Sequence, residues 1–94
     1  MADKKALRLK IEGRVQGVNF RMATVRAAEK TGVFGWVRNM ADGSVEAMIE
    51  GAAERVDEMV EWCKKGPPMA SVTNVTVFEE AFTGRYTDFT LRYT

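Results

Sequence analysis

The sequence predicts an α+β two-layer sandwich, one domain over residues 1–94. Its elements run β-α-β-β-α-β with a short extra C-terminal strand, an antiparallel sheet carrying two helices on one face. Three observations predict this. Apolar residues alternate with polar ones near residues 7–11, 45–49 and 72–78. They recur at helical spacing near 20–31 and 52–63. Breaks rich in Gly, Pro or Asp-Gly separate these stretches.

Leu7, Leu9 and Ile11 alternate with Arg8, Lys10 and Glu12, which is the period of a strand with one buried face. Gly13 is expected to stop that strand, and Gly13-Arg14-Val15-Gln16-Gly17 reads as a turn with two permissive backbone positions. The period then changes. Phe20, Ala23, Ala27 and Ala28 share one face of a helix over about 20–31, with Asn19 as its expected cap and Gly32 as its stop. The β-branched and aromatic run Val33-Phe34-Gly35-Trp36-Val37 predicts a strand to about Met40. Asp42-Gly43 is a strong hairpin signal, so Val45, Ala47 and Ile49 form its antiparallel partner.

Ala52, Val56, Met59, Val60 and Cys63 follow i, i+4, i+7, i+8, i+11, the clearest helix in the chain. Glu54 and Asp57 suit its positive end and Lys64 and Lys65 its negative end; Gly66-Pro67-Pro68 ends it. Val72–Phe78 predicts a fourth strand, with Thr73, Val75 and Val77 on one face. After Thr83-Gly84-Arg85, the alternation of Phe89, Leu91 and Tyr93 predicts the last strand. This order matches the ferredoxin-like arrangement.

Composition bounds the chemistry. A chain of 94 residues, 46% hydrophobic and 29% charged, is ordinary globular material. With 14 Lys and Arg against 13 Asp and Glu, the net charge of +1 gives little pull toward nucleic acid or membrane. The absence of His removes Ser-His-Asp, Cys-His and HExxH chemistry together. One Cys leaves no internal disulfide framework and favours a reducing compartment. No apolar run approaches the roughly 20 residues that span a bilayer, and no signal-peptide block follows the first residues, so a soluble cytoplasmic protein is expected. Cys63 lies on the core stripe of its helix and reads as a buried structural thiol. Trp36 and Trp62 read as packing residues. Arg14, Arg38 and Lys10 read as solvated charges, the carboxylates fall mainly on exposed helix faces, and no cluster has metal-ligand spacing.

The topology turns these elements into a site. Strands one and two end at the same sheet edge with strand three between them, a gap of about 10 Å. The Gly-rich loop, the start of the first helix and Asn39 therefore face a common spot. A helix N-terminus favours anions, a Gly-bearing loop can turn its N–H groups inward, and Arg21 in the first helical turn adds a fork that suits phosphate oxygens. The alternative left open by these residues is a tight turn beside a solvated arginine.

At these positions the sequence resembles the acylphosphatase family. Gly13-Arg14-Val15-Gln16-Gly17-Val18-Asn19-Phe20-Arg21 is similar to its first signature. Gly35-Trp36-Val37-Arg38-Asn39, with Gly43, Val45 and Gly51, is similar to its second. The likeness covers essentially the whole chain. It implies hydrolysis of the carboxyl–phosphate bond of small acyl phosphates to carboxylate and inorganic phosphate. It further implies that Arg21 binds phosphate and Asn39 orients the attacking water. Backbone N–H groups of Arg14, Val15, Gln16, Gly17, Val18 and Asn19 would cradle the phosphate oxygens, a site that phosphate or sulfate can occupy. No metal, cofactor, nucleic acid or membrane is implied, and the length suits a monomer.

The chemistry is consistent with these residue types. A carboxylate is a good leaving group, so a general acid is hardly needed. Phosphoryl transfer then rests on positioning and on charge stabilisation at the equatorial oxygens. An Asn carbonyl can hold a water but takes no proton at neutral pH, so the water's proton is expected to pass to the substrate phosphate. The competing readings are a non-catalytic binding or regulatory module of the same fold and, more remotely, an RNA-recognition module. Phe34-Gly35-Trp36-Val37 faintly resembles the aromatic segment of the latter but lies on strand two, not strand three.

Overall fold

The computed structural model describes residues 3–93. β1 (Lys4–Arg14) leads into α1 (Phe20–Thr31), β2 (Phe34–Asn39), β3 (Val45–Ala52), α2 (Ala53–Lys65), β4 (Ser71–Glu80) and β5 (Phe89–Arg92). The strands form one sheet in the order β4-β1-β3-β2-β5. The expected element order holds, and β3 does lie between β1 and β2.

Leu7, Leu9 and Ile11 of β1 and Val45, Ala47 and Ile49 of β3 are buried under the helices, as their alternation requires. Val56, Met59, Val60 and Cys63 bury the predicted stripe of α2, while α1 contributes Phe20, Thr24 and Ala28. Gly32 stops α1 in a left-handed conformation, its N–H donating to the Ala28 carbonyl at 2.8 Å. Burial of these aliphatic side chains is the main stabilising term, at about 25 cal/mol per Å² of apolar surface removed from water.

Four local expectations are corrected. Gly13 does not stop β1, which continues to Arg14 in register with Ser71. The pairing with β4 shifts between Glu12 and Gly13, leaving Thr73 as the extra residue. Gly13 permits this, since a Cβ there would lie 2.2 Å from the Ser71 carbonyl oxygen. The bulge is also why Val72 and Val75, not Thr73, pack on the core. Val77 stands opposite Leu9 but remains exposed on the edge strand. Asn19 makes no side-chain cap bond; it takes a left-handed backbone at φ 63° instead.

The remaining corrections concern the C-terminal part and the carboxylates. β5 pairs with β2 in parallel, so the sheet is mixed and not wholly antiparallel; Tyr93 lies beyond it and is exposed. To reach that edge, residues 81–88 cross the helix-free face. The N–H and hydroxyl of Thr83 and the N–H of Gly84 donate to Glu50 at 2.8, 2.9 and 3.1 Å. The Trp36 indole donates to the Tyr86 hydroxyl at 3.3 Å. Both faces of β3 are therefore covered, and Glu46 and Glu50 are buried against the expectation that carboxylates sit on exposed helices. Glu50 has the partners just named, and Glu46 accepts from Arg8 and Arg38. Buried carboxylates need such compensation.

Candidate active site

The register places the two halves of the expected site on one row. Ile11 of β1 and Asn39 of β2 both stand opposite Val45 of β3. β1 runs three residues beyond this row to Arg14, and the loop 15–19 that follows shares a cavity with Asn39. β5, running parallel to β2, ends at the same edge and brings Leu91 there.

The loop is pinned from beneath. Val15 and Val18 are buried, and Phe20, 1% exposed, fixes the first turn of α1 against Trp62 with ring centroids 5.9 Å apart. Between these anchors the backbone alternates in hand. Gly17 has φ 73° and Asn19 φ 63°, while Val18 between them keeps an ordinary negative φ. Such alternation can turn successive N–H groups toward one side, the backbone geometry an anion seat requires. A Cβ on Gly17 would meet nothing within 4 Å, so glycine is required there by its backbone and not by crowding. The free N–H groups at the start of α1 add to the same positive field.

A cavity of about 200 Å³ opens here, lined by Gly17, Asn19 and Arg21 together with Asn39. Val15, Phe20, Met22 and Leu91 complete it. Of the expected site residues, Arg14, Gln16 and Val18 do not line it: Arg14 ends β1 in solvent and Val18 faces the core. Met22 and Leu91 were missed by the sequence reading. Met22 follows from its place one residue after Arg21. Leu91 depends on the parallel pairing of β5, for which the sequence carries no local signal.

Arg21 is partly buried. Its Nη1 donates to the Arg92 carbonyl at 3.5 Å, and its guanidinium lies 5.2 Å from the Tyr93 ring centroid. Among the described residues no carboxylate pairs with it, whereas Arg8 and Arg38 are both tied to Glu46. Its remaining donors stay available to an anion. The Asn39 Oδ1 is buried and has no hydrogen-bond partner among the described residues. Buried acceptors are nearly always paired, so this acceptor is free to take a donor from outside the protein.

Two other groups are accounted for structurally. Burial pushes the Cys63 thiol up to about 12, so it carries no thiolate at neutral pH. Asp42 in the β2–β3 turn is held well below the usual carboxylate range by the Ser44 hydroxyl and N–H and by Lys10 at 3.0 Å. Among the described residues no group of three His, Cys, Asp or Glu side chains is placed to hold a metal ion. No helix among them is long and apolar enough to cross a membrane.

Comparison with known proteins agrees over the full frame. The family model described as Acylphosphatase matches residues 7–91. A protein named Acylphosphatase from Syntrophobacter fumaroxidans is 50% identical over 91 residues, covering 97% of this chain and 94% of the relative. The structure of an acylphosphatase from Coxiella burnetii superposes with a TM-score of 0.90 at 34% identity, covering 96% of this chain and 94% of that one. The crystal structure of acylphosphatase from Bacillus subtilis gives 0.89 at 36% identity, covering 94% and 98%. In sequence and in backbone alike, the chain belongs to the acylphosphatase family, enzymes that hydrolyse the carboxyl–phosphate bond.

Proposed function

We propose that the acyl phosphate is held with its phosphoryl group in the seat formed by residues 15–19 and the guanidinium of Arg21, and that Asn39 presents the attacking water. The loop amides and Arg21 neutralise charge on the equatorial oxygens as the bond to the carboxylate lengthens. The Asn39 Oδ1 accepts a hydrogen bond from the water and aims its oxygen at phosphorus. The water's proton passes to a phosphoryl oxygen, the P–O bond to the acyl group breaks, and carboxylate and inorganic phosphate leave. The leaving group needs no proton, which suits a chain without His. The observation that carries this reading is that one small cavity is lined by Gly17, Asn19, Arg21 and Asn39, and that no described residue donates to the buried Asn39 Oδ1.

Phosphate and sulfate resemble the transferred group and are expected to occupy the same seat. Action as a cytoplasmic monomer is supported by the buried free thiol of Cys63 and by a site that one chain completes. RNA stacking on the helix-free face is disfavoured by Trp36, whose ring is taken up by Arg38 and Arg92 at 5.2 and 4.7 Å. The test is a titration of the ¹⁵N-labelled protein with inorganic phosphate, beside its inhibition of benzoyl phosphate hydrolysis. The expected result is competitive inhibition with amide shifts concentrated in residues 15–21. Shifts concentrated elsewhere would reject the assignment.

A further inference from the structure

We propose that the side chain of Gln16 is a positioning residue for the hydrolysis, setting the distance between the phosphate seat and the water held by Asn39. Its amide donates both hydrogens across the site, to the Met40 carbonyl at 2.8 Å and to the Ser44 carbonyl at 2.9 Å. Met40 directly follows Asn39. The two carbonyls close the mouth of the β2–β3 turn, where the Met40 N–H also donates to the Ser44 carbonyl at 2.8 Å. Asp42 stiffens the same turn by accepting from the Ser44 N–H at 2.9 Å and hydroxyl at 2.6 Å.

Among the described residues, the two Gln16 bonds are the only hydrogen bonds joining the loop 15–19 to the segment 39–44. Otherwise the halves are connected through β3 and by the packing of α1 on β2, neither of which adds a hydrogen bond between the two segments. The Gln16 side chain does not line the cavity, so that side chain acts on the reaction only through the groups it holds. In-line attack needs the water within about 3–3.5 Å of phosphorus. The loop places the phosphorus and Asn39 places the water. A bridge between their backbones is therefore what fixes the approach. Val15 and Val18 keep the loop itself seated without that bridge. Loss of Gln16 should thus disturb the approach and leave phosphate affinity largely intact.

The inference rests on the roles assigned above to the loop and to Asn39. Its test uses Gln16→Met, which keeps length and apolar stem but has no donor, and Gln16→Glu, which sets a carboxylate against two carbonyls. Each is measured for benzoyl phosphate turnover, inhibition by inorganic phosphate and thermal midpoint, alone and combined with Asn39→Ala. A folded Gln16→Met is expected to lose about ten- to a hundred-fold in kcat, with Gln16→Glu losing at least as much. The phosphate inhibition constant should stay within about three-fold, and Gln16→Met should add less than about two-fold to the loss already caused by Asn39→Ala. A wild-type kcat in folded Gln16→Met, a parallel loss of phosphate affinity, or additive losses in the double variant would each overturn it. If Asn39→Ala alone leaves kcat intact, the water-holding role falls first and takes this inference with it. Should neither Gln16 variant fold, the wild type still decides. Slow solvent exchange of the Gln16 side-chain amide protons is expected, and rapid exchange would refute the bridge.

Discussion

Replacing Asn39 by Ala should move activity and stability in opposite directions. An ordinary buried polar side chain loses a hydrogen bond when truncated, and its former partner is left unsatisfied, at a cost of about 1–3 kcal/mol. Asn39 differs because its Oδ1 is buried and no described residue donates to it. Truncation removes an unsatisfied acceptor and orphans nothing that had bonded to it. The relief, again about 1–3 kcal/mol, is set against the packing lost with the carboxamide. The net is expected to lie between no change and about 1 kcal/mol of stabilisation, which for a chain of this size raises Tm by up to about 4–8 °C. The same truncation leaves the attacking water unheld. A loss on the order of 10²–10³ in kcat is expected, or about 3–4 kcal/mol of transition-state stabilisation. Phosphate affinity should change little, because the seat and Arg21 remain. The assay pairs thermal unfolding with steady-state hydrolysis of benzoyl phosphate. A fall in Tm of more than about 8 °C would mean that the side chain has a structural role, and an unchanged kcat would mean that it does not hold the water.

Arg21→Ala should abolish phosphate inhibition and turnover together, since the guanidinium is the cavity's one charged side chain among the described residues; near-normal turnover would exclude its role. Gly17→Val should unseat the loop, because φ 73° costs a side-chain-bearing residue about 1–2 kcal/mol. Its expected signature is weakened phosphate inhibition, and an unchanged inhibition constant would show that the left-handed backbone is dispensable. Asp42→Asn should destabilise the fold at neutral pH and not in strong acid. The carboxyl titrates lower when folded than when unfolded, so its contribution is present above the usual carboxylate range and is lost as pH falls through the folded value. A difference in Tm independent of pH would contradict this. EDTA should leave hydrolysis intact, and inhibition reversed by added metal would require a different mechanism.

The first glycine-rich signature was legible because each residue serves a local need: Gly17 the left-handed backbone, Phe20 the helix anchor, Arg21 the first turn. Asn39 was legible only through its spacing from Gly35, Gly43 and Val45, since a lone Asn at a strand end reads equally well as a turn residue. The Gln16 side chain was read past because its partners are two backbone carbonyls, which look alike in any sequence. Asn19 was misread as a side-chain cap because Asn serves helix N-caps and left-handed positions alike.

Period and punctuation alone determined the seven elements, the βαββαβ order and the core stripes of β1, β3 and α2, because burial of one face imposes a repeat of two or about 3.6 residues on the chain. Tertiary structure alone decided the bulge opposite Gly13, the parallel attachment of β5 and the covering of the second face of β3 by residues 81–88. Those features depend on which edge is free and which buried carboxylate finds donors. Such partners are dozens of residues apart, and no local pattern encodes a distance across a sheet.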